Sequence, residues 1–143
     1  MTRSLVLDAE PLSLLARPKQ SGHSEVRAAL EAAHRLNREV VVPAVILAEL
    51  YRSPGHDQVV DACLARETGL LVRDTDPALA RLVGGVLSTA AAGSEDLADA
   101  HTVAAAIESG GGVILTGDPS DVLRLAAGYP YIHVAEVGDQ SRR

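Results

Sequence analysis

The sequence predicts an α/β fold: a single domain built on a five-stranded, mainly parallel sheet with helices on both faces. Three observations lead there. The chain has 143 residues, 47% of them hydrophobic, which is enough for one core and too few for two ordinary domains. Short apolar runs of strand length alternate with longer stretches of helical period, and strands buried on both faces belong to parallel sheets. Aromatics are nearly absent, with three Tyr and no Trp or Phe, so the core must be Ala, Val, Leu and Ile, a mixture suited to buried strands between Ala-rich helices.

In chain order, Ser4–Leu7 reads as a short buried strand ending at Asp8, and Glu10–Ala16 as a short helix closed by Pro18 and Gly22. Val26, Ala29, Leu30, Ala33 and Leu36 recur at helical spacing and predict an amphipathic helix over Ser24–Leu36. Val40–Val42 is a second strand, after which Pro43 opens a helix to about Arg52 that Pro54-Gly55 stops. A helix over His56–Glu67 precedes a strand at Leu70–Val72, and Asp76–Ala91 is helical with Gly84-Gly85 as a kink or break. Ser94 caps a helix to about Ser109, Gly110–Gly112 ends it, and Val113–Leu115 is the fourth strand. Asp118-Pro119 starts a further helix that Gly128 ends, and Tyr131–Val134 is the fifth strand. The domain occupies residues 1–138, with 139–143 a polar tail.

Composition limits the function classes. The formal charge of −6 argues against a generic nucleic-acid coater, because phosphate neutralisation leaves a basic footprint. It is compatible with a metal-dependent nuclease, in which divalent cations neutralise clustered carboxylates and meet the phosphate. The single cysteine, Cys63, forms no internal disulfide and fits a reducing cytoplasm. Asp8 and Glu10 interrupt the first apolar run before a signal-peptide core is complete, and no stretch approaches a membrane span. The expectation is therefore a cytoplasmic protein with no membrane partner.

The acidic residues carry the chemistry. In parallel sheets, sites form beyond the carboxyl ends of strands near a topological switch point. Asp8 ends the first strand and Asp118 lies just past the fourth, so both fall on that rim, with Asp121 one helical turn further on. Asp96 and Asp99 open one helix, and Glu49 lies in another that begins just after the second strand. Each also has a plainer reading: Asp118 and Asp121 as a helix cap and first-turn acid, Asp96 and Asp99 as acids at a helix dipole, Asp8 as a turn residue. Glu49, within Val45-Ile46-Leu47-Ala48-Glu49-Leu50-Tyr51, fits such a reading least. Its helix reads as buried nearly all round, where a carboxylate needs a metal or a partner such as Arg52. An all-oxygen set, without a Cys pair or a His pair at ligand spacing, selects Mg²⁺ or Mn²⁺ over zinc. His101, beside the acidic turn, reads as a packed histidine rather than a substrate contact, and Gly110–Gly112 precedes a strand, the wrong order for a phosphate loop.

Taken in order, these segments resemble the PIN-domain family. Leu5-Val6-Leu7-Asp8-Ala9 is similar to its opening strand and first acid, and Pro43-Ala44-Val45-Ile46-Leu47-Ala48-Glu49-Leu50 to the motif that supplies a glutamate. Asp99-Ala100-His101-Thr102-Val103-Ala104-Ala105-Ala106 resembles the acid that starts an Ala-rich helix, and Thr116-Gly117-Asp118-Pro119-Ser120-Asp121 the fourth motif. The ordered set, covering roughly residues 4–134, is what is specific. Asp118 stands where many relatives carry Asn, and Val122 where an aromatic is common.

The resemblance implies a PIN-like domain and divalent-metal-dependent RNA cleavage. For VapC-like members it further implies the toxin role in a toxin–antitoxin pair, a cognate antitoxin and a homodimer. On this reading Asp8, Glu49, Asp99 and Asp118 hold Mg²⁺, or Mn²⁺, while Asp96 and Asp121 support them and Thr116 orients water or phosphate through its hydroxyl. The competing readings are a PIN-like scaffold that binds RNA or protein without cutting, and a haloacid-dehalogenase-type phosphatase, suggested by Asp8-Ala9-Glu10. The phosphatase would need a well-placed lysine, and the single Lys19 follows Pro18, away from any strand end.

Overall fold

In the computed structural model, which describes residues 3–138, five parallel strands form one sheet in the order β3-β2-β1-β4-β5. Strand β1 (Ser4–Leu7) is buried at every position and lies at the centre. It is flanked by β2 (Glu39–Pro43) and β4 (Gly112–Thr116), with β3 (Leu70–Arg73) and β5 (Ile132–Glu136) at the edges. The register pairs Val6 with Val41 on one side and with Ile114 on the other. Because side chains alternate across a strand, Leu5 and Leu7 enter one core while Val6 enters the other.

Helices cover both faces. On the Leu5/Leu7 face lie α1 (Ala9–Ala16), α2 (His23–Arg35), α3 (Ala44–Leu50) and α4 (Pro54–Arg66), contributing Leu12, Leu15, Val26, Ile46 and Cys63. On the Val6 face lie α5 (Pro77–Thr89), α6 (Leu97–Glu108) and α7 (Pro119–Ala126), contributing Leu79, Val83, Val103 and Leu125. Helix α6 is buried at every position from Ala100 to Ala106. Its alanines let α5, α7 and the sheet close around it, and a helix enclosed in this way holds its first turn firmly in place.

Several expectations change. Helix α5 runs unbroken through Gly84 and Gly85, because the helix packs through Leu79, Val83 and Val86 while nothing lies within 4 Å of either glycine's missing Cβ. Ser94 does not cap a long helix: Ser94–Asp96 is a separate 3-10 turn, and α6 starts at Leu97. Pro43 ends β2 rather than opening α3, which stops at Leu50, and Pro54 starts α4 behind the Ser53 cap. Leu36 caps α2 and is 62% exposed instead of continuing its apolar stripe. Strand β3 is a partly exposed edge, with Leu71 and Val72 open. The tail at 139–143 lies outside the described residues. Among the described residues, no helix is long and apolar enough to cross a membrane.

Candidate metal centre

The chain runs outward from β1 to β2 and β3, then returns to the other side of β1 for β4 and β5. The switch therefore falls between β1 and β4, and their carboxyl ends carry Asp8 and Thr116. Asp8 caps α1, its Oδ1 accepting from the Ala9 amide at 2.8 Å. Its Oδ2 accepts from the fully buried Thr116 hydroxyl at 2.7 Å. The same Thr116 oxygen accepts from the Asp118 amide at 3.2 Å, so one side chain ties the ends of two adjacent strands together. The sequence reading has Thr116 orient water or phosphate; in the structure its hydroxyl lies 2.7 Å from Asp8 Oδ2 and 3.3 Å from the Asp118 carbonyl oxygen. Thr116→Val removes a hydrogen bond to a charged group and strands the Asp118 amide, which should cost about 1.5–3 kcal/mol in urea unfolding. A loss of a few tenths of a kcal/mol would show that the tie is unimportant.

Opposite these strand ends stands the start of α6. Oxygens of Asp96, Asp99 and Asp121 lie within 4.8 Å of one another. Burial, then Asp8, Asp121, Glu49 and Asp96 in decreasing order, push the Asp99 carboxyl up from 3.8 to about 6. Asp99 sits in the first turn of α6, where the helix dipole favours the charged form by about 0.3–1 kcal/mol. That the carboxyl is nonetheless raised means burial and crowding outweigh the dipole. Glu49 is raised by partial burial and by Asp8.

The plain reading holds in part: Asp8 caps α1, and Asp99 and Asp121 are first-turn acids of α6 and α7. Asp96 occupies the cap position of α6 and Asp118 that of α7, yet neither side chain accepts a hydrogen bond from a backbone amide of its helix. The buried Asp96 turns instead to Arg124, at 2.9 Å. Asp118 is exposed and accepts from the Ser120 hydroxyl at 3.1 Å.

The structure thus brings Asp96 and Asp121 to the Asp99 carboxyl, with Asp8 and Glu49 near enough to raise it, and it is Asp121 rather than Asp118 that stands beside Asp99. Glu49 reaches this group by a different route from the one expected. Only Ile46 of α3 is fully buried, and Glu49 itself is exposed at the rim. A seven-residue helix at the edge of the core cannot be enclosed all round. The alternative partner Arg52 donates to the Glu49 backbone carbonyl, not to its carboxylate.

His101 is packed, as expected: Nδ1 donates to the Leu97 carbonyl at 2.8 Å, and Nε2 lies 2.9 Å from the Thr75 hydroxyl. Neither ring nitrogen remains for a substrate. Lys19 lies in an exposed turn after α1, so the phosphatase reading lacks its lysine. Two features escaped the sequence. Arg124 could have been noticed as an i+3 partner of Asp121, but its reach to Asp96 crosses 28 positions. Glu10 lies so close over Gly117 that a Cβ there would meet its carboxylate at 1.3 Å.

A hollow of about 440 Å³ lies elsewhere, lined by Arg27, His34, Arg66 and Glu67 near the amino ends of β2 and β3. Its Glu67 carboxylate is paired with Arg27 at 2.6 Å.

The acids suit a hard divalent cation: all donors are carboxylate oxygens, and at Asp99 they carry a mutual repulsion that a cation would relieve. No family model and no curated protein matches the chain. Solved structures do. Over 92% of this chain and 97% of the other, it superposes with TM-score 0.63 and 15% identity on a chain of VapBC2 from Rickettsia felis bound to a promoter DNA fragment. A chain of FitAcB from Neisseria gonorrhoeae matches with TM-score 0.61 and 18% identity, over 91% and 95% of the two chains. A chain of DNA-bound VapBC from Salmonella typhimurium matches with TM-score 0.62 and 19% identity, over 95% and 98%. At such identities the likeness establishes architecture, and this chain is accordingly a single α/β domain of the PIN-like fold.

Proposed function

We propose that the chain is a divalent-metal-dependent endoribonuclease, the toxin of a VapBC-type pair, which hydrolyses RNA phosphodiester bonds in the cytoplasm. The observation that carries this reading is the meeting of Asp96, Asp99 and Asp121, their oxygens within 4.8 Å of one another, near the switch point of the sheet, with Asp8 and Glu49 near enough to act on the Asp99 carboxyl. A fold alone hosts many functions, so the argument rests on this site. Asp8, Glu49 and Asp99 are the first candidates to hold Mg²⁺ or Mn²⁺. Asp96 and Asp121 complete the oxygen set, and Asp118 stands at the rim. A bound divalent ion supplies Lewis acidity toward a phosphoryl oxygen and a water of lowered pKa.

The chain's own residues do the rest. Thr116 fixes the Asp8 carboxylate through Oδ2 while the Ala9 amide fixes Oδ1, so this acid is oriented before any ligand arrives. Asp99, raised to about 6, is largely ionised at neutral pH. It therefore presents charge at an energetic disadvantage that cation binding removes. A cognate antitoxin and homodimeric assembly belong to the same reading and are supported by the motif resemblance and the shared fold.

The test is cleavage of a defined RNA by metal-stripped protein. Activity should appear with Mg²⁺ or Mn²⁺, vanish with EDTA and not return with Zn²⁺. Full activity in chelator would sink the metal-dependent reading. Repeating the assay with the product of the adjacent reading frame tests the antitoxin, which should suppress cleavage.

A further inference from the structure

The acidic crevice carries a cation of its own. Nη2 of Arg124, in the last turn of α7, lies 2.9 Å from Asp96 Oδ2 and 3.5 Å from Asp121 Oδ1. One amino group thus bridges the two carboxylates that lie within 4.8 Å of Asp99. The two contacts differ in character. The Asp96 side chain is 8% exposed, and a carboxylate so buried needs its partner. The Asp121 side chain is 52% exposed, and a long contact at such a site is weakly held. Arg124 engages only one oxygen of each acid, unlike the two-pronged pairing that would lock a carboxylate in place.

We propose that Arg124 is a built-in counter-ion of the crevice, which stays on Asp96, competes with divalent cations for Asp121, and thereby sets the affinity of the site for metal. This rests on the metal reading above. The competing role, an arginine that merely arranges the ligands, has the opposite sign. A guanidinium that occupies ligand oxygens in the empty site and repels the incoming ion weakens binding. One that only pre-arranges those oxygens strengthens it.

The experiment is calorimetric titration of Mn²⁺ into metal-stripped wild type, Arg124→Gln and Arg124→Lys, with urea unfolding of each in EDTA. Arg124→Gln should bind Mn²⁺ about tenfold more tightly, equivalent to about 1.4 kcal/mol, while the metal-free protein becomes less stable because Asp96 loses its partner. Arg124→Lys, which keeps the charge, should stay within about threefold of wild type. Should Arg124→Gln fail to fold, Asp96→Asn is compared with Asp96→Asn/Arg124→Gln, and the double variant should bind more tightly than the single. Equal or weaker binding after loss of Arg124, with wild type binding normally, overturns the counter-ion role and leaves the metal reading intact. No Mn²⁺ binding by any of the proteins overturns the metal reading itself.

Discussion

Asp99→Asn should reduce RNA cleavage at least about a hundredfold while making the metal-free protein harder, not easier, to unfold at neutral pH. The two effects share one cause. The Asp99 carboxyl is raised from 3.8 to about 6 in the folded chain, first by burial and then by Asp8, Asp121, Glu49 and Asp96. The native state therefore holds this proton more tightly than the unfolded state does. At pH well below 4 the group is protonated in both states and its ionisation costs nothing. As pH rises through about 6, stability is lost, by roughly 1–2 kcal/mol once solvent screening of this half-buried group is allowed for. Asparagine cannot ionise, so the variant should unfold at higher urea than wild type at pH 7.5 in EDTA, and the difference should shrink toward pH 4. Adding Mg²⁺ should close this gap, because wild type gains the stabilisation of a bound ligand, roughly 1–3 kcal/mol at saturation, and the variant gains much less. An Asn variant that is less stable at pH 7.5, equally responsive to Mg²⁺ and still active would mean that Asp99 only supports a helix start.

The second large effect is structural. Gly112 opens β4 opposite Ser4 of β1, at φ +155°. A Cβ added there would stand 2.0 Å from the Ser4 carbonyl oxygen and 2.9 Å from Ser4 C and N. These are backbone atoms of the central strand, which cannot move aside without breaking the β1–β4 pairing that places Asp8 beside Thr116. Gly112→Ala should therefore cost at least about 3 kcal/mol, a large part of a typical stability of about 5–15 kcal/mol. Tm should fall by more than about 10 °C. Gly117→Ala is the internal comparison: the clashing atoms belong to the Glu10 side chain, which can rotate away, so its loss should be much smaller. Equal losses at the two positions would mean that the strand contact is not what requires glycine at 112.

The sheet and its helices were legible in the sequence because burial on both faces leaves a simple mark. Leu5–Leu7 and Val40–Val42 are unbroken apolar runs, and each lies within a strand. The stripe of Val26 and Ala33 is likewise a helix. Boundaries were less legible where neighbours decide them. Gly84-Gly85 reads as a break, but packing through Val83 and Val86 carries α5 past it. Ser94 reads as a cap, but the chain makes a 3-10 turn before α6 begins.

The site divides in the same way. The residue types and their order, Asp8, Glu49, Asp96, Asp99, Thr116, Asp118 and Asp121, are properties of the sequence, as is the absence of a Cys or His set that would select zinc. Which of the acids face one another is not. Asp118 and Asp121 lie three positions apart in one segment, and no local rule says which turns toward α6. The packing of α7 against α6 brings Asp121 to Asp99 and leaves Asp118 at the rim with Ser120. Glu49 comes near Asp8 because β2 lies beside β1, not because its helix is enclosed. Arg124 meets Asp96 through the same helix packing. Carboxylates repel over distances of a few ångströms, so their pairing depends on how helices from distant parts of the chain pack together, and local sequence pattern carries no record of that.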